Sequence, residues 1–156
     1  MTVIEPPPTP VTDRTMAMAM AVRALVRGVD SYRGARAEAA GGVAVIDIVA
    51  LGHLLVQGPQ TPTDLARRLG VTTASITDLL DRMEQRRWVL RTPHPRDRRR
   101  ILASLTEVGH DLITETYREF ATRLSPAFTD LPSEDQQVVM RFLETATSCL
   151  TGGPQR

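Results

Sequence analysis

One cysteine, Cys149, stands in the 156 residues of this chain. An internal disulfide and a multi-cysteine metal site are therefore excluded, which suits a reducing compartment. Lysine is absent and all 19 basic residues are arginine, a bias that by itself carries no functional message. No apolar run is long enough to cross a bilayer. The N-terminus MTVIEPPPTP has acid and prolines where a signal peptide needs a basic end and an apolar core, so a cytoplasmic protein without a membrane partner is expected. Enzyme signatures are missing too. There is no glycine-rich phosphate loop and no nucleophile elbow, and His53, His94 and His110 are too scattered for metal-ligand spacing. These absences point away from an enzyme and from any cofactor or metal.

What is present is enough apolar content, 42%, for one ordinary globular domain. The net charge of +1 says nothing of nucleic acid, but its distribution does. Between Thr61 and Ser104 lie ten arginines (67, 68, 82, 86, 87, 91, 96, 98, 99 and 100) against Asp64, Asp78, Asp81, Glu84 and Asp97. That stretch has an excess of five positive charges and leaves the remainder of the chain at minus four.

Residues 1–11 hold four prolines and read as a mobile arm. A long helix over 12–40 follows, capped by Thr12 or Asp13, with Met18, Val22, Leu25, Val29 and Tyr32 recurring at steps of four and three. Such a stripe packs either within one chain or against a second copy. Met16 and Met20 beside it read as pliable core filler. Gly41-Gly42 breaks the helix. The run VAVIDIVALGHLLV (43–56) has the β-branched content of a buried strand, yet its length and leucine-rich end favour a buried helix. His53 lies in it, and a packed side chain is the plainer reading over a ligand sensor.

Thr61-Pro62-x-Asp64 is a helix start, with a capping hydroxyl, proline at the first position and acid in the first turn. Gly70 ends that helix and Thr72 caps the next, whose Ile76, Leu79, Leu80 and Met83 form one buried stripe. Two short helices joined through Gly70-Val71-Thr72 make a helix-turn-helix. The second helix starts with Thr73, Ala74, Ser75 and Thr77, residues small enough to let it approach base edges. Its face also carries Asp78, whose role stays open, and Asp81, for which an arginine partner is expected. Residues 88–91 and 101–104 read as strands joined by the loop TPHPRDRRR. An arginine-tipped ribbon after a helix-turn-helix suits a narrow, negative minor groove, with Asp97 as a brace holding one guanidinium. Thr106 caps a long helix with Ile113, Tyr117, Phe120 and Leu124 in register. Ser133 opens a last one, with Gln136 completing a capping box and Val139, Phe142, Leu143, Ala146 and Leu150 on one stripe.

The segments LARRLGVTTASITDLLDRMEQRRWVLR and RDRRRILASLTEVG, with Asp97-x-Arg99 and Leu105-Thr106-x-x-Gly109 in register, resemble the winged helix-turn-helix regulators of the MarR type. The resemblance extends over most of Thr12 to Leu150. It implies a mainly α fold with a small two- or three-stranded β-wing and long dimerisation helices. The parts would be an N-terminal dimerisation helix over 12–40, a DNA-binding lobe over 43–104, C-terminal dimerisation helices over 106–150 and a flexible tail over 151–156. It implies a homodimer on a near-palindromic site in double-stranded DNA, with Arg99 in the minor groove, Asp97 orienting the wing and the helix from Thr73 to Arg86 reading the major groove. DNA contacts are expected at Thr61, Thr63, Thr73, Ala74, Ser75, Thr77, Arg82, Arg86, Arg96, Arg98 and Arg99, with Asp97 and Asp81 as braces. Dimer contacts are expected at Met18, Val22, Leu25, Val29, Tyr117, Phe120, Leu124, Val139, Phe142 and Leu143. Two positions depart from the usual pattern: Arg87, where glycine is common before the first strand, and Asp78, where a basic or neutral residue is common. The family's peroxide sensors carry a cysteine near the start of the first long helix, and this chain has none there.

The function this implies is a transcriptional regulator, a repressor released from DNA when a small aromatic or acidic organic effector binds at a site the sequence does not locate. A winged helix used for protein contacts, with its wing on an acidic partner, is the competing class.

Overall fold

Thr12 opens the first helix by accepting the Thr15 backbone N–H on its hydroxyl at 3.2 Å. Helix α1 then runs over Asp13–Ala39. The computed structural model describes residues 11–39 and 41–151, without the side chain of Arg98, so the expected N-terminal arm and most of the tail lie outside the described residues. Gly41 and Gly42 follow α1 with φ of 60° and 89°, a left-handed path that side chains resist. Helix α2 (Val45–Gln57) comes next. Its β-branched residues are overruled by length and by Asp47, whose carboxylate takes the Ala44 N–H at 2.9 Å and closes the first turn.

Helices α3 (Pro62–Leu69) and α4 (Thr73–Gln85) start on the hydroxyls of Thr61 and Thr72. Gly70, at φ 66°, turns the chain between them, and Val71 N–H returns to the Ala66 carbonyl at 3.0 Å. Leu51, Leu65, Ile76, Leu80, Met83 and Val89 are buried almost completely and make the core of this unit.

The wing is longer than the sequence suggests. Strands β1 (Val89–His94) and β2 (Asp97–Leu105) pair antiparallel from Val89↔Leu105 to Pro93↔Ile101 and again at His94↔Asp97. Pairing therefore reaches into what reads as loop, and only Pro95 and Arg96 form the turn. The irregularity after Pro93 leaves Arg98, Arg99 and Arg100 on β2 without opposite residues, a bulge that absorbs the arginine run. Gln60 adds a single bridge to Ala103, with N–H···O distances of 3.0 and 2.8 Å, as a rudimentary third strand.

The chain divides after Thr106 into a second unit. It holds α5 (Glu107–Thr129) and α6 (Ser133–Thr151). The expected capping box at Ser133 takes another form. The Gln136 amide donates to the carbonyls of Phe128 and Leu131 at 3.3 and 3.0 Å, satisfying the open end of α5 instead of the start of α6. No residue of α6 is buried, and Tyr117, Leu124, Phe142 and Leu143 are each about two-fifths exposed. In α1, Met18 and Leu25 are exposed to a similar degree, while Val22 and Val29 are half-buried.

Candidate nucleic-acid interface

The α4 surface is set by its buried stripe. With Ile76, Leu79, Leu80 and Met83 facing the core, the remaining positions Thr73, Ala74, Ser75, Thr77 and Asp78 are exposed. Thr72 and Ser75 share a hydroxyl hydrogen bond of 2.9 Å, which leaves one hydroxyl hydrogen of the pair for an outside acceptor. Thr77 donates its own to the Thr73 carbonyl at 3.0 Å, so its oxygen is left as an acceptor. A short, small-residue helix start with both donor and acceptor capacity can be brought close to base edges. Thr63, in the first turn of α3, is exposed as well.

Arg96, Asp97, Arg99 and Arg100 are exposed on the wing. His94 Nδ1 accepts the Arg96 backbone N–H at 3.2 Å, and Asp97 Oδ1 accepts the Arg99 backbone N–H at 3.1 Å. Asp97 thus braces backbone, and no guanidinium partner for it occurs among the described residues; a carboxylate two residues before an N–H closes a local turn readily. The guanidinium of Arg99 is not the group it holds.

Three residues expected at the DNA surface have other work. Thr61 is only 7% exposed; its hydroxyl accepts the Asp64 N–H at 3.2 Å and donates to the Asp64 carboxylate at 2.7 Å. Arg82 pairs with the fully buried Asp47 at 2.6 Å. Arg86 donates to the Gly42 carbonyl at 2.7 Å and lies 4.9 Å from the centre of the Trp88 ring. The partner sought for Asp81 is Arg91, which also approaches Glu84 at 3.6 Å. Asp78 has no hydrogen bond or ion pair among the described residues. Asp64 is held below the usual carboxylate range, first by the Thr61 hydroxyl and then by Arg67, at 2.7 Å, and Arg100, at 3.9 Å. Burial, with Arg68 and Arg33, holds the half-buried His53 below the ordinary imidazole value. Among the described residues no cluster of metal-ligating side chains occurs.

The turn before the wing decides how the lobe is closed. Arg87 has φ 58°, the single non-glycine residue with positive φ among those described. Its N–H bonds the Glu84 carbonyl at 2.9 Å and Trp88 N–H bonds that of Met83 at 2.9 Å, so α4 ends in the same left-handed motif as α3. Thr106 clamps it from the far strand end, its hydroxyl donating to the Arg87 carbonyl and its N–H to the Trp88 carbonyl at 3.0 Å. The family model for the MarR family matches residues 47–101, which hold α2 to α4 and most of the wing. That third of the chain is similar to the MarR family of regulators.

Relatives and solved structures show similarity to the same family. The chain is 27% identical over 100 residues to the uncharacterized HTH-type transcriptional regulator YkoM of Bacillus subtilis, covering 64% of this chain and 65% of that one, a little under two thirds. A MarR family protein from Bacillus stearothermophilus has the same fold, with TM-score 0.75 and 23% identity, covering 91% of this chain and 99% of that one. A mutant of S. aureus MepR bound to an oligodeoxyribonucleotide superposes with TM-score 0.59 at 21% identity, over 85% and 97% of the two chains. The fold is therefore a mainly helical MarR winged helix with a two-strand sheet.

Asp47 is the residue of this MarR lobe that sequence reasoning passed over. Its signal was present: one carboxylate inside an apolar helix demands a cationic partner. Nothing in the sequence named Arg82 as that partner, 35 residues away. Arg100 and Arg67, both drawn toward Asp64, were also left out of the expected contact set.

Proposed function

We propose that this protein is a DNA-binding transcriptional regulator that acts as a homodimer on a near-palindromic operator. The observation that carries the reading is the pairing of an exposed small-residue start on α4 with an exposed arginine wing in one lobe. Thr63, Thr73, Ala74, Ser75 and Thr77 are the residues for the major groove, and Arg96, Arg99 and Arg100 those for the minor groove. Arg98 belongs with them by position. MepR bound to an oligodeoxyribonucleotide supports the same use of this fold. α4 exposes Asp78, and Asp81 is neutralised by Arg91, so the wing supplies most of the phosphate attraction.

The dimer is formed by exposed and half-buried apolar positions of α1, α5 and α6: Met18, Val22, Leu25 and Val29 with Tyr117, Phe120, Leu124, Val139, Phe142 and Leu143. A small organic effector, aromatic or acidic, releases the repressor from DNA. Fluorescence anisotropy on duplex DNA flanking its own gene tests the reading. A saturable curve, weakened about tenfold or more by Arg99→Ala and falling steeply with salt, is the expected result. A curve flat at all protein concentrations, or one indifferent to Arg99→Ala, overturns it.

A further inference from the structure

Arg82 in the last turn of α4 and Arg86, the residue that caps its end, are both spent on the segment from the α1–α2 junction into the first turn of α2. Arg82 reaches the Asp47 carboxylate at 2.6 Å, and Arg86 reaches the Gly42 carbonyl at 2.7 Å. One grip thus comes from within the last turn of α4 and the other from its C-terminal end. Gly41 and Gly42 both follow left-handed paths, and the second Asp47 oxygen takes the Ala44 N–H at 2.9 Å, so the same carboxylate that opens α2 anchors α4.

Asp47 is fully buried while its partner Arg82 keeps 39% of its side chain exposed, and the cost of desolvating the carboxylate offsets much of what the pair contributes to net stability. What the pair does impose is direction: a fully buried carboxylate tolerates only the placement that brings its partner within hydrogen-bond reach. Apolar packing of Ile76, Leu80 and Met83 leaves α4 free to roll or slide by fractions of an ångström; two polar tethers do not.

We propose that Asp47, acting through Arg82 with Arg86 as the second tether, is a positioning residue for sequence readout. It sets the α4 helix against the α1–α2 junction, so that Thr73 to Thr77 meet base edges in one register. Phosphate attraction by the wing does not depend on it. The proposal rests on the DNA-binding reading above and divides affinity from discrimination within it.

The test uses the full-length dimer and two duplexes: one selected by the wild-type protein from a random library, the other of the same composition with its sequence shuffled. Asp47→Asn keeps the shape and the Ala44 contact but removes the charge. The expected result is a loss of about tenfold or more in the ratio of specific to shuffled affinity, the size of one good base contact, with affinity for the shuffled duplex and its salt slope unchanged. Arg86→Ala, which removes only the outer tether, should lower the same ratio to a smaller degree. Should Asp47→Asn fail to fold, the paired replacement Asp47→Leu with Arg82→Met restores an apolar contact and is expected to fold yet discriminate poorly. Folded variants that discriminate as well as the wild type overturn the positioning role while leaving the DNA-binding reading intact. A wild-type protein that selects no duplex overturns both.

Discussion

Arg87 bears the largest local backbone cost among the described residues. A left-handed conformation costs an L-residue about 1–2 kcal/mol, which glycine avoids at an entropic cost of about 0.5–1 kcal/mol. The Arg87 side chain is exposed and has no hydrogen bond or ion pair among the described residues. Arg87→Gly should therefore raise stability by about 0.5–1 kcal/mol, seen as a melting temperature a few degrees higher. An unchanged or lower melting temperature would show that the side chain has a stabilising contact. His53 makes a second case. Its pKa is lowered by burial first, then by Arg68 and Arg33, so the folded state binds fewer protons than the unfolded state just below the ordinary imidazole value of 6.5. Stability should thus fall as pH drops through that value and level off below the lowered one. His53→Gln should flatten this limb in denaturant titrations run at a series of pH values.

Among elements, the helices were far more legible in the sequence than the wing. The stripe Ile76, Leu79, Leu80, Met83 and the caps at Thr61 and Thr72 are local signals, and each lies in the structure where periodicity and capping chemistry put it. The hairpin could not be read to its ends. Pro93, His94 and three consecutive arginines have no strand preference, and their extended form comes from pairing with the opposite strand and from the bulge that takes up the excess. The Asp47–Arg82 pair and the Gln60 bridge link residues distant in sequence, which no periodicity reports. The Gln136 role was half visible: the residue was singled out, but it serves the preceding helix. Removing it in Gln136→Ala leaves the Phe128 and Leu131 carbonyls to solvent and should cost about 1 kcal/mol in chemical denaturation. A full capping box at Ser133 would instead predict fraying at the start of α6, which amide exchange distinguishes.

For the whole molecule, the unburied helices set the terms. Phe142 is 40% exposed and Leu25 47%, in a chain where α6 has no buried residue. These exposed apolar side chains are the ones assigned to the proposed dimer interface. Phe142→Glu, and separately Leu25→Glu, should shift the protein from dimer to monomer in light scattering and weaken operator binding by a hundredfold or more, since each half-site is then held alone. A variant that stays dimeric would remove its residue from the interface.

The proposed pairing of these helices with a second copy would also make concentration a variable of the protein's behaviour. Where association is linked to folding, the melting temperature rises with protein concentration. Where it is linked to operator occupancy, the fraction of DNA bound grows more steeply than first order at low copy number. A cell holding a few copies too many or too few would then cross between bound and free operator over a narrow range, a threshold set by the proposed dimer surfaces of α1, α5 and α6 and not by the wing proposed to touch DNA.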